Sequence, residues 1–147
     1  MLALFGERGA GKSVAFLREC QALKEAQARP HWVDLGRYHT ESQVAAALTA
    51  ASQPPQAGEW WLFLDSVDEG LNVFPALGGT ITGWIDSLSD EQRLDMRLRF
   101  TCRTGRWPDL LQQTLTRYWT PFQVQHLVLT PSATAMLQLP LKTTDWT

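Results

Sequence analysis

A chain of 147 residues is long enough to bury the core of one α/β domain, and 44% hydrophobic against 19% charged residues excludes a disordered or fibrous protein. Thirteen Lys and Arg against fifteen Asp and Glu leave a net charge of -2, so the bulk charge points to neither nucleic acid nor an acidic lipid surface as a partner. No apolar run approaches a membrane span, and Met1 leads into an apolar segment without a signal peptide, so a cytoplasmic protein is expected.

The first element is the apolar run at residues 1–5, which reads as a buried strand. Directly behind it stands Gly6-Glu7-Arg8-Gly9-Ala10-Gly11-Lys12-Ser13, the pattern G-x-x-x-x-G-K-[ST] of a phosphate-binding loop, or Walker A, between a strand and a helix. Glycines let the loop curl so that successive N–H groups converge on phosphate oxygens. Lys12 is expected to reach the β- and γ-phosphates, Ser13 to bind Mg²⁺, and the helix that follows to add the positive end of its dipole.

Residues 12–28 hold no Gly or Pro, and Phe16, Cys20 and Leu23 recur at helical spacing, with Arg29-Pro30 as the expected stop. A short strand is expected at 31–35. Thr40 and Gln43 have the capping-box form for a helix that follows them. Residues 53–58 are a loop. Trp60-Trp61-Leu62-Phe63-Leu64 is a continuous apolar run, the mark of a strand buried on both faces of a parallel sheet, and it ends in Asp65. A carboxylate at that position is suited to hold Mg²⁺ as a Walker B residue. Asp68 and Glu69 follow closely enough for one to activate a water, with Glu69 the first candidate, although acids also favour a helix N-terminus.

Leu77, Ile81, Trp84, Ile85 and Leu88 form the next helical stripe, and residues 90–95 read as a polar loop. The stretch 97–102 alternates like a strand and ends in Arg103. There Arg103 would lie on the edge of the sheet where strand C-termini gather, although Arg103 and Arg106 read equally well as ordinary surface charges. Pro108 suits the first turn of a helix carrying Leu110, Leu111 and Leu115, and 122–129 reads as a fifth strand. Cys20 and Cys102 lie in apolar patterns and are expected as buried free thiols; His31, His39 and His126 lack metal-ligand spacing.

Three of these segments together resemble the NACHT-type NTPases. GERGAGKS is similar to their Walker A, LFLDSVDEG, Leu62 to Gly70, to their extended Walker B, and RFTCRTGRWP, Arg99 to Pro108, to their sensor 1 segment, a strand that ends in Thr, a small residue and Arg. The resemblance implies a three-layer α/β/α P-loop NTPase with a parallel five-stranded sheet in the order 5-1-4-3-2, of the signal-transduction (STAND, AAA+-like) class whose bacterial members include anti-phage sensors. It further implies Mg-ATP bound by residues 6–13 with Asp65, water activation by Asp68 or Glu69, and sensing of the γ-phosphate by Arg103.

Residues 1–130 are then the NTPase core, and 131–147 the start of a truncated lid followed by a polar tail. Two function classes follow. One is slow ATP hydrolysis that drives a conformational switch in a larger protein assembly; the other is a nucleotide-holding interaction module without turnover. A small-molecule or nucleotide kinase is a weaker third, since no acceptor pocket can be read.

Overall fold

The computed structural model describes residues 2–7, 9, 11–55, 59–119 and 123–127. The strand expected from the tryptophan-rich run is β3 (Trp60–Asp65), in which every residue is buried. β3 pairs in parallel with β2 (Arg29–Asp34) on one side and β4 (Met96–Arg103) on the other. β4 pairs with β1 (Leu2–Gly6), and the backbone of β5 (Gln123–Leu127) runs along the far side of β1, so the order is β2-β3-β4-β1-β5. All these pairings are parallel, which brings the C-terminal ends of β1, β3 and β4 to one edge.

Helices cover both faces, as a parallel sheet with buried strands requires. On one face lies α1 (Lys12–Glu25), whose Phe16, Cys20 and Leu23 pack on Trp61 and Phe63. Aromatic edges set this contact: the Phe16 and Phe63 rings meet at 5.1 Å and 81°, and Trp32 stacks on Phe63 at 5.8 Å. On the other face α2 (Glu41–Ala51), α3 (Val67–Val73), α4 (Leu77–Ser87) and α6 (Asp109–Tyr118) bury Val44, Leu48, Val67, Ile81, Ile85, Leu111 and Leu115 against Leu62, Leu64, Leu98 and Phe100. Buried indoles find acceptors, as they must: Trp60 donates to the Ala51 carbonyl at 3.2 Å and Trp84 to Ser52 Oγ at 2.6 Å.

Several boundaries differ from the sequence reading. α1 ends at Glu25, and Gln27 turns the chain with a left-handed φ of 65°, so Arg29 and Pro30 open β2 instead of closing a helix. A proline is tolerated there because β2 is an edge strand and Pro30 stands near its start. Residues 90–95 are not a loop but a one-turn-plus helix, α5 (Asp90–Asp95). Ser89 and Gln92 close a reciprocal capping box, which satisfies end groups that a helix without any buried residue could not otherwise protect. At α2 the Thr40 hydroxyl caps Gln43 N–H, but the Gln43 side chain reaches past it to the His39 N–H at 2.8 Å. Pro108 is the residue before α6, not within its first turn. Cys20 and Cys102 are buried free thiols as expected; burial pushes them up to about 11 and about 12, so both stay protonated at neutral pH. Among the described residues no helix is long and apolar enough to cross a membrane. The expected lid start and tail at 131–147 lie outside the described residues.

Candidate functional site at the strand C-termini

The loop between β1 and α1 owes its shape to two left-handed residues, Gly9 (φ 79°) and Gly11 (φ 87°), a backbone that only glycine adopts without strain. Gly11 directly precedes the 14-residue α1, so the N–H groups of the first helical turn open toward the loop with the helix dipole behind them. Lys12 Nζ donates to the carbonyls of Gly6 (2.8 Å) and Glu7 (2.9 Å), which holds its ammonium across the mouth of the loop. Arg8 and Ala10, two of the expected loop contacts, lie outside the described residues.

Ser13, next along α1, points at the end of β3. Its hydroxyl donates to Asp65 Oδ2 at 2.9 Å and Oδ1 at 3.1 Å, joining residues 52 positions apart. Asp65 is buried and keeps this pose through a residue that the sequence named only within the sensor 1 resemblance, with no role of its own. Thr101, on β4, donates to Asp65 Oδ1 and accepts the Ser66 N–H at 2.8 Å. Ser66 carries the chain out of β3 in the left-handed region (φ 62°, ψ 48°), so one buried hydroxyl both orients the carboxylate and secures a strained turn. The available signal was strand alternation: Thr101 shares a face of β4 with Arg99 and Arg103, the face that looks toward α1. Replacing Thr101 by the isosteric Val leaves the Ser66 N–H without its acceptor, and the urea-unfolding midpoint should fall by an amount equivalent to about 1–3 kcal/mol. An unchanged midpoint would show that the hydroxyl carries none of this.

Asp68 and Glu69 stand together in the first turn of α3 but face apart. Asp68 Oδ1 accepts the backbone N–H of Arg103 at 3.0 Å, which brings it to the end of β4, beside β1. Its charge adds to burial in holding the Cys102 thiol protonated. Glu69 Oε2 instead lies beside Gly36, just past the end of β2, 2.8 Å from where a β-carbon on that glycine would stand. Arg103 pairs through Nε with Glu7 Oε2 at 3.5 Å, and Gly6 and Arg103 are neighbours in the β1–β4 ladder. Arg106 donates to Asn72 Oδ1 at 2.7 Å and takes no part in this grouping.

Ser13 Oγ and Asp65, one hydroxyl and one carboxylate, suit a Mg²⁺ ion that takes its remaining oxygens from water and phosphate. Among the described residues there is no group of three or more His, Cys, Asp or Glu that could hold a metal ion. The edge therefore gathers Lys12, Ser13, Asp65, Thr101, Asp68, Glu7 and Arg103, with Glu69 turned toward the outer strand. No protein-family model matches the chain, and no curated protein matches its sequence.

Proposed function

We propose that the chain is a P-loop NTPase core that binds Mg-ATP at residues 6–13, with the three-layer build and the 5-1-4-3-2 strand order of the NACHT-type class it resembles. The observation that carries this reading is the Ser13–Asp65 hydrogen bond, made from a helix that opens on a glycine-shaped loop to the C-terminal end of a fully buried strand. A hydroxyl and a carboxylate held in that relation suit a phosphate-bound magnesium ion. Loop N–H groups and the α1 dipole take the phosphate charge, Lys12 exchanges its carbonyl partners for phosphate oxygens, and Thr101 holds Asp65 in position. When bound, Mg²⁺ supplies charge neutralisation between the phosphates. The same arrangement supports slow hydrolysis that serves a switch, and phosphate release separates that from a nucleotide-holding module without turnover.

Titration with a fluorescent ATP analogue tests the reading. Lys12→Ala should weaken binding about ten- to a hundredfold, the scale of a lost charge-assisted contact. Asp65→Asn keeps the side chain's shape but drops its charge, so it should weaken binding with Mg²⁺ present and matter little in EDTA. Equal affinity of wild type and Lys12→Ala sinks the proposal.

A further inference from the structure

The reading above uses the backbone of Glu7 but not its side chain, and that side chain has a definite position. Its carboxylate pairs with Arg103, while its carbonyl accepts Lys12 Nζ, so one loop residue engages both cations that the proposed function gives to the phosphates. We propose that Glu7 is a specificity-determining residue: it competes with the third phosphate for the Arg103 guanidinium and thereby sets how strongly the site prefers a nucleoside triphosphate to a diphosphate. This rests on the nucleotide reading of the site.

The geometry limits what can move. The Arg103 main chain is fixed from three directions: by its N–H to Asp68, by its place beside Gly6 in the ladder, and by the next residue, Thr104, whose N–H reaches the Gly6 carbonyl at 3.4 Å. Only the guanidinium is free to exchange partners, and its side chain is 51% exposed against 65% for Glu7. A pair this open in water is held weakly, by about fivefold at most in an equilibrium constant, so a phosphate with more charge and more acceptor oxygens displaces it readily. The displacement still lowers triphosphate affinity by whatever the pair contributes. A diphosphate that stops short of Arg103 leaves the pair intact. The carboxylate also repels every phosphate, but that repulsion acts on both nucleotides, whereas competition for Arg103 acts only on the longer one.

Calorimetry of the whole chain with Mg-ATP and with Mg-ADP, on wild type, Glu7→Gln, Arg103→Ala and the double variant, tests this. Glu7→Gln keeps the side chain's size and the carbonyl used by Lys12, at an exposed position where folding is not at stake. It should raise the ratio of ATP to ADP affinity about threefold, and in the Arg103→Ala background it should leave that ratio unchanged. A ratio that Glu7→Gln does not move, or that it moves equally without Arg103, overturns the competition while the nucleotide site stands. Failure of wild type to bind either nucleotide overturns the nucleotide reading and this inference with it.

Discussion

Replacing Asp68 by Asn is expected to slow nucleoside-triphosphate hydrolysis by roughly 10² while nucleotide affinity stays near that of wild type, and Glu69→Gln is expected to do much less. The sequence puts Glu69 first, but the two acids leave α3 in different directions. Asp68 is anchored at the end of β4, next to β1, from whose end the loop departs. Glu69 lies against Gly36 past the end of β2, and in the order β2-β3-β4-β1 that strand is three places from β1. At a strand spacing of about 4.8 Å this is roughly 14 Å, beyond the reach of a carboxylate that must touch a water lined up on a phosphate held by the loop. Asn at 68 can still accept the Arg103 N–H, so the variant removes basicity without releasing the β4 end. Steady-state phosphate release by the pure protein decides the matter. Loss of turnover in Glu69→Gln alone returns the role to Glu69, turnover unchanged in both variants removes the role from both acids, and no phosphate release by the wild type favours the interaction module over the hydrolase.

What could be read from the sequence, and what could not, follows from how each residue signals its surroundings. The apolar run at Trp60–Asp65 and the loop GERGAGKS carry their own context, because a strand buried on both faces has no polar positions and a tight phosphate loop needs glycine at particular places. The places of Lys12 and Ser13 at the start of α1 and of Asp65 at the end of β3 were therefore legible, and the Ser13 hydroxyl donates to Asp65. Residues 90–95 were misread because hydrophobic periodicity is silent in a helix that buries nothing; only Ser89 and Gln92 announced it. The different bearings of Asp68 and Glu69 depend on the αL turn at Ser66 and on the ends of β4 and β2, the strands on either side of β3, which lie far from them in sequence.

Alternation gave the strand β4 but not the surroundings of its polar face. Leu98, Phe100 and Cys102 face one side, and Arg97, Arg99, Thr101 and Arg103 the other. Yet α1 covers part of that second face, and Arg99 is only 2% exposed. Which arginine a helix will cover cannot be told from the strand's own residues.

Arg99→Ala is accordingly expected to be strongly destabilising, by about 3–5 kcal/mol. Its Nε donates to Glu19 Oε1 of α1 at 3.0 Å, its NH1 donates to the Leu98 carbonyl at 3.2 Å, and its guanidinium lies 4.5 Å from the centre of the Trp61 ring. Burial pulls the Arg99 pKa down, and the Glu19 carboxylate holds it up. Glu19 Oε2 is itself buried and, among the described residues, without a hydrogen-bond partner, so removing Arg99 takes from a buried carboxylate the cation and donor that offset its burial. The pair as a whole need not be stabilising, since the desolvation of two charges can match their attraction. Arg99→Met combined with Glu19→Leu should therefore recover most of the loss, and urea unfolding of the two single variants and the double measures it as a coupling energy. What the pair does accomplish is positional. Glu19 stands six residues beyond Ser13 on α1, and Arg99 two and four residues before Thr101 and Arg103 on β4, so the bond fixes the helix that carries the loop against the strand that carries Asp65's partner. Met and Leu at these positions keep the packing but not the directional bond. The double variant should thus be stable yet bind Mg-nucleotide less tightly, by a few-fold on the scale of one ordinary hydrogen bond. Additive single losses, with no recovery in the double, would mean that the two charges do not depend on one another.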